Sequence, residues 1–390
     1  MAKLIEITGK ALSGEWGTDD EIGNGIPVLR TTNFTNEGFI DYRDVVTRHI
    51  DKKNIDEKYL RPGDIIIEKS GGSDKQPVGR VVYFEGPEST YMFNNFTGLL
   101  RVKEQKKWFP KYIFYSLYYN YYKGGTKIYE NKTTGLHNLK MDSYISRYDV
   151  LEKDYGEQIR ICERIDKINR LIQLHKEEII ELEKITKSRF VELFVGKNYD
   201  IVKAGSIIKE MRNGVSPSTS GGHFEKVLTL SAITQGKFDD KAWKEGFFTD
   251  CPSTEKRITE DDFYICRGNG NKSLVGMGVY ALENRPDLVF PDTVIAAHID
   301  TERMVIPYLW IMWQQPEVRK QLESGARTTN GTYKINQKVI SKIKIICPPI
   351  NEQEVFADFI KQVDKSKSVI QKSLDELEIL KKSLMQKYFG

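Results

Sequence analysis

The sequence predicts an α/β protein of the α+β type, in which two mixed α/β modules are separated by two long antiparallel helices and related by an internal pseudo-twofold repeat. Three observations predict it. The chain repeats itself: Glu157-Gln158 opens a heptad-patterned stretch ending at Leu193-Phe194, and Glu352-Gln353 opens another ending at Tyr388-Phe389, a constant offset of 195 in 390 residues. Each stretch is apolar in alternating steps of three and four, the spacing of a helix-pairing seam. Each follows a long segment of short β-type runs broken by Gly, Asn and Asp.

The repeat extends upstream of the helices, with small length changes that mark loops. Val28-Leu29 followed by Phe39-Ile40-Asp41 is echoed by Val227-Leu228 followed by Phe238-Asp239-Asp240. The segment 64–72 is echoed by 262–270, each an apolar run that ends in a basic residue and glycines. Pro110 and Pro307 each open an aromatic run, and Thr133-Thr134-Gly135 answers Thr328-Thr329-Asn330. Two copies of this length mean paired domains and not a solenoid, which needs more repeats to bury a continuous core.

The first module spans 1–154. Strands are expected at Pro27–Thr31, Asp64–Glu68, Val78–Phe84 and Thr97–Val102, where β-branched and aromatic residues lie between turn formers. Pro110–Tyr122 is expected to be helical, because proline lacks the N–H that would be unpaired at the first helical position. Tyr112, Tyr115, Tyr118, Tyr119 and Tyr122 follow helical spacing and are expected to pack in a core.

The first long helix occupies 155–195, with Ile161, Ile165, Ile168, Ile172, His175, Ile179 and Leu182 on its seam. From Glu157 to Phe194 it would span roughly 55 Å at 1.5 Å per residue. The second module, 196–350, repeats the pattern, with strands at Val227–Ser231, Asp262–Arg267 and Val294–Ile299 and a helix at Pro307–Gln315 carrying Trp310 and Trp313. The second long helix, 351–390, sets Phe356, Ile360, Val363, Lys367, Ile370, Leu374 and Leu377 on the same rhythm. His175 and Lys367 are polar seam positions, which set register and orientation at a cost in stability. Pairing the two helices antiparallel is the economical packing and would hold the modules at opposite ends.

Composition bounds the function. A hydrophobic content of 39% with 11% aromatics is enough for real cores. A net charge of +4 excludes a uniformly basic polyanion binder, so any anion-binding surface must be local. Cys162, Cys251, Cys266 and Cys347 lie far apart with no CxxC pair, which argues against a disulfide framework or zinc ribbon and fits a reducing compartment. The start, Met1-Ala2-Lys3-Leu4, has no signal-like apolar core, and no run approaches the ~18 apolar residues a membrane span needs. A soluble, cytoplasmic protein is expected.

No catalytic motif stands out, and no catalytic or metal-ligating residue is assigned. Cys347-Pro348-Pro349-Ile350 lacks the polar and aromatic residues of an amino-methyltransferase loop and reads as a turn before the second long helix. Pro62-Gly63-Asp64 with Glu68-Lys69 hints at a nuclease strand. However, adjacent residues on a strand point to opposite faces, and the second copy has Cys266-Arg267 there. Gly268-Asn269-Gly270 lacks the strand–helix context of a nucleotide fingerprint.

The strand-end loops remain. Glu68–Arg80 and Cys266–Gly278 follow the same apolar run in both modules and carry Gly and Ser with basic residues, the second also Asn. Glycine permits close backbone approach to a partner. Lys and Arg neutralise phosphates, and Arg, Asn and Gln can pair base edges through two hydrogen bonds. The candidate DNA contacts are therefore Arg30, Thr32, Asn33, Lys69, Ser70, Lys75, Thr133 and Thr134 in the first module. In the second they are Arg267, Asn269, Asn271, Lys272, Arg327, Thr328 and Asn330. Thr126 and Lys127 are secondary additions.

The layout resembles the specificity (S) subunit of type I restriction–modification systems from end to end. The residues that carry the resemblance are Ser13-Gly14-Glu15-Trp16-Gly17, Pro27-Val28-Leu29-Arg30, Leu60-Arg61-Pro62-Gly63-Asp64-Ile65-Ile66 and the two Glu-Gln helix starts. It implies two target-recognition domains, each reading half of a bipartite duplex site, and paired helices that act as ruler and as docking surface for two methyltransferase (M) subunits. It implies double-stranded DNA, M subunits and restriction (R) subunits as partners. S-adenosylmethionine is then expected on M and ATP with Mg on R, with no cofactor in this chain. Because DNA repeats every ~34 Å, shifting a half-site by a few base pairs rotates it off the face being read. Docking on M is expected to use Ile161, Ile165, Ile172, Leu182, Phe356, Ile360, Leu374 and Leu377. One departure is that the second module opens with Tyr199-Asp200-Ile201-Val202-Lys203, whereas the first opens almost directly at Lys3-Leu4-Ile5, so its edge strand is expected to be short.

Two other readings compete. An S-like scaffold could bind methyltransferase or itself without reading DNA, and its loops would be stripped of basic and amide side chains. An autonomous nuclease or methyltransferase would need motifs that are missing.

Overall fold

The computed structural model describes residues 1–51, 55–133, 136–218, 221–329 and 331–390. They form two compact units, Met1–Lys176 with Lys372–Gly390, and Glu177–Gln371. These contact units divide each long helix between them, so they cut across the expected boundaries at 154, 195 and 350. The reason is that the ends of both long helices belong to module cores. Ile161, Ile165, Met385 and Tyr388 are buried in the first unit's core with Leu4, Ile65 and Tyr112. Phe190, Phe194, Phe356 and Ile360 do the same in the second, with Phe263 and Tyr308.

In the first unit, Ile65–Glu68 is a central strand of an antiparallel sheet with Thr97–Leu100 and Val81–Tyr83. Ile65 and Ile67 face one core, and Ile66 faces another with Phe84 and Phe93. A strand covered on both faces reads as an unbroken apolar run and not as an alternating one. The second unit repeats the device with Asp262–Cys266. There Phe263 and Ile265 face one core, while Tyr264 and Cys266 face the other. Each unit adds a sheet with one parallel pairing, Ile26–Leu29 beside Met92–Phe93 and His223–Leu228 beside Arg285–Val289.

The aromatic helix forms over Pro110–Tyr122 as expected, and Val294–Ile299 is a strand throughout. The edge strand of the first unit is indeed short, Ala2–Lys3 against Asp149–Val150, where the second unit pairs Asp200–Lys203 with Lys344–Cys347. The strands expected at Pro27–Thr31 and Thr97–Val102 end at Leu29 and Leu100, and three expectations shift further. The strand expected at Val78–Phe84 starts at Val81, because the Val78 N–H is taken by the Glu130 carboxylate at 2.9 Å and Gly79 turns the chain with φ 103°. The strand expected at Val227–Ser231 is His223–Leu228, and Ser231–Thr234 is a short helix. The helix expected at Pro307–Gln315 runs Ile306–Trp313, and Pro316 opens a second one to Gly325.

The long helices are Tyr155–Phe194 and Ile350–Phe389. In the first unit Arg164 Nη1 donates to the Tyr388 hydroxyl at 2.9 Å, and His175 Nε2 meets Ser373 Oγ at 3.1 Å. In the second, Lys367 Nζ donates to Glu183 at 2.6 Å, and the Phe190 and Phe194 rings pack on Phe356. Within each unit, then, the helix segments run antiparallel, and each polar seam residue bonds across to the other helix, His175 to Ser373 and Lys367 to Glu183.

The Glu-Gln helix starts also find their reason. Gln158 is 1% exposed and Gln353 0%. Gln158 Oε1 accepts from the Phe109 N–H at 2.8 Å, and its Nε2 donates to the Lys107 and Lys153 carbonyls. Gln353 makes the same three bonds, to the Val305 N–H and the Arg303 and Pro348 carbonyls. Each glutamine thereby ties the start of a long helix to the cap of an aromatic helix. Replacing Gln158 or Gln353 by Ala removes the side-chain partner of three mostly part-buried backbone groups and is expected to cost about 2–4 kcal/mol, read as a lower urea midpoint. An unchanged midpoint would remove the clamp's role.

Candidate functional site

Where Ile65–Glu68 runs out of the first unit's sheet, the chain turns at Lys69. Ser70–Gly72 then pairs with Leu136–Leu139, itself paired with Glu130–Thr133. A small three-stranded sheet thus joins segments that sequence reasoning had singled out separately. A Cβ on Gly72 would lie 2.5 Å from the Val78 nitrogen, so only glycine lets the returning loop lie this close.

The two acids of the nuclease-like segment are both spent on arginines. Glu68 accepts from Arg80 Nε at 3.1 Å and Nη2 at 3.0 Å, and Arg80 also donates to the Thr31 and Phe34 carbonyls. This tethers the 30–34 loop beside the strand end. Asp64 accepts from Arg101 Nε at 2.8 Å and Nη2 at 2.6 Å. The Lys69 ammonium has no partner among the described residues, and Lys75 and Thr32 are exposed.

The second unit builds the same sheet. Past Cys266 and Arg267, Gly268–Asn269 pairs with Thr332–Lys334, which pairs with Arg327–Thr329. Arg267 Nη1 donates to the Asp292 carbonyl at 3.1 Å. Asn269 Oδ1 accepts from the Asn271 N–H at 2.9 Å, and Asn271 Oδ1 caps Ser273 at 3.0 Å. These amides therefore shape the loop from within. Lys272, Arg327, Thr328 and Lys334 are exposed. Sequence reasoning missed Lys334, whose signal lies in the register: it is the strand partner of both Gly268 and Arg327.

Several expected contacts face inward. Asn33 is 2% exposed, and its amide donates to the Asp41 and Asp44 carbonyls, both at 2.9 Å. Arg30 pairs with Asp44 at 3.0 Å. Ser70 is buried and donates to Asn138 Oδ1 at 2.5 Å, and Thr126 is buried outright. Asn33, Ser70 and Thr126 therefore build the loops and leave the candidate surface, while Arg30 stays partly exposed in its ion pair with the exposed Asp44. Thr134 and Asn330 lie outside the described residues.

The expected docking positions need the same correction. Ile161, Ile165, Ile172, Phe356, Ile360 and Leu374 are buried within their own units, and Leu182 and Leu377 are half-buried, because the seam packs the helices against each other and the modules. The apolar side chains left in solvent lie off the seam: Leu171, Leu174, Ile180, Ile185 and Val191 on the first helix, and Val355, Val369, Ile379 and Leu380 on the second.

All four cysteines are free. Among the described residues, no group of three or more His, Cys, Asp or Glu could hold a metal ion, and no helix is long and apolar enough to cross a membrane.

Residues 308–379 match the family described as the type I restriction modification DNA specificity domain. The chain is 24% identical over 402 aligned residues to the type I restriction enzyme StySPI specificity subunit of Salmonella potsdam, covering 93% of this chain and 81% of that one. It is 21% identical over 227 residues to the putative type I restriction enzyme MjaX specificity subunit of Methanocaldococcus jannaschii, covering 56% and 50%. In fold it is similar to the S subunit of a type I restriction–modification system from M. genitalium, with TM-score 0.55 and 14% identity over 100% of this chain and 95% of that one. A chain from a type I restriction–modification structure concerned with complex assembly and conformational transition gives TM-score 0.59 and 14% identity, covering 100% and 96%.

Proposed function

We propose that this chain, which belongs to the type I restriction–modification specificity family, is the DNA-reading subunit of its complex, each module reading one half of a bipartite duplex site. The observation that carries this reading is the small three-stranded sheet that ends the central strand in both units, with exposed basic side chains around a glycine-lined loop. Lys69, Lys75, Lys272 and Lys334 suit phosphates, and Arg327 suits a base edge or a phosphate. The exposed cations disfavour an S-like scaffold that does not touch DNA. The off-seam apolar side chains of the long helices suit docking of methyltransferase subunits. S-adenosylmethionine then serves those subunits, and ATP with Mg serves restriction subunits, so this chain directs chemistry done by its partners.

The test is to co-express the chain with its methyltransferase subunit and map methylated adenines across a genome by single-molecule sequencing. An interrupted two-part motif is the expected result. A stable complex with no motif would sink the DNA-reading assignment in favour of the scaffold.

A further inference from the structure

In the first unit, the end of the aromatic helix, the loop carrying Lys75 and the long-helix segments enclose a groove of about 740 Å3. Tyr118, Tyr119, Tyr121 and Tyr122 form one wall. Six lysines line it (Lys75, Lys123, Lys127, Lys176, Lys381 and Lys382) against two carboxylates, Glu37 and Glu378. The lining thus carries a local excess of four positive charges in a chain whose net charge is only +4.

Little of this charge is neutralised. Lys176 lies 3.9 Å from Glu37, a loose pair. Lys123 and Lys381 lie over the Tyr119 and Tyr118 rings, at 5.0 and 5.4 Å. Among the described residues, Lys75, Lys127 and Lys382 have no carboxylate within ion-pair reach. Burial pushes the Lys381 ammonium below its ordinary range and Lys176 adds to this, against the pull of Glu37 and Glu378. A partly buried ammonium beside further unpaired lysines is what an incoming anion would stabilise.

Two further observations say which anion. Lys75, Gln76 and Pro77 line the groove and belong to the loop that begins at Lys69, so groove and candidate interface are continuous. Tyr118 and Tyr121 donate through their hydroxyls to the Asn36 and Pro77 carbonyls, both at 3.1 Å, which anchors those loops to the tyrosine wall. A cavity of about 330 Å3 in the second unit has no such excess. There Lys237 pairs with Asp364 at 2.7 Å, and Arg285 with Asp240 and Asp287.

We propose that this groove binds the sugar–phosphate backbone of DNA flanking the half-site read by the first module. The proposal rests on the DNA-reading function above and adds a sequence-independent contact on one side of the target only. The test uses the full chain in complex with its methyltransferase subunits, on a duplex carrying the motif found by methylation mapping. Binding is measured by fluorescence anisotropy across a salt series.

For Lys123→Gln/Lys382→Gln, the slope of log K against log salt is expected to become shallower by up to about 1.8, or 0.9 per lost phosphate contact, with the methylated motif unchanged. An unchanged slope and affinity would overturn the proposal. Loss of the methyltransferase subunits with an unchanged slope would also overturn it, and would assign the groove to an acidic protein segment. If the wild-type complex shows no motif-dependent binding at all, the DNA-reading function fails first and the groove's role falls with it.

Discussion

Arg327→Ala combined with Lys334→Ala is expected to weaken binding of the bipartite duplex by about 10²- to 10³-fold and to relax methylation specificity at one half-site only. Both side chains are exposed on paired strands whose backbone bonds do not depend on them, so alanine keeps the sheet and removes only what it presents. Co-purification with methyltransferase subunits is expected to be unchanged. The mirror-image variant, Ile180→Glu with Ile379→Glu, puts charge on exposed helix positions and is expected to lose those subunits while the module folds stay intact. If the loop variant loses the methyltransferase, or blurs both half-sites equally, the division of labour between loops and helices is wrong. Lys272→Ala alone should give a smaller, sequence-independent loss, as for one phosphate contact.

What could be read from the chain was whatever repeats or is periodic. The helix at Pro110–Tyr122 and the strand at Val294–Ile299 follow from local chemistry, and the long helices follow from a seam spacing that no strand can satisfy. Side-chain direction in the loops was not legible, because it is decided by partners distant in sequence. Asn33 looks like a base reader in Arg30-Thr31-Thr32-Asn33, yet the Asp41 and Asp44 carbonyls consume its amide. The seam isoleucines show the opposite failure. Their periodicity was visible and pointed to pairing of the two long helices, but the same positions were also assigned to docking, for which that pairing leaves no exposed surface.

The ion pairs under the strand ends were hidden for a third reason. Asp64 and Asp262 are equivalent, but Arg101 serves the first and Arg212, with His298, serves the second. Arg101 follows the strand Thr97–Leu100, whereas Arg212 lies in Ile208–Asn213, so the charge partner moved between copies while the geometry it serves did not.

Asp64→Ala is expected to destabilise the first unit by about 3 kcal/mol, because it leaves the Arg101 guanidinium, only 22% exposed, without its carboxylate. The Arg61 N–H loses its acceptor as well, which frees the turn that leads into Ile65–Glu68. Hydrogen exchange should therefore accelerate across Ile65–Glu68 and Thr97–Leu100, while Asp262–Cys266, in the other unit, keeps its protection. Asp64→Asn keeps one acceptor oxygen for Arg101 or the Arg61 N–H and should cost less. The same pair of variants separates a structural acid from a catalytic one. Were Asp64 part of a nuclease strand, both changes would abolish cleavage with stability left intact. If it is the counter-ion of Arg101, stability falls in the order Asn, then Ala, and the modification activity of the assembled complex survives at temperatures where the first unit stays folded.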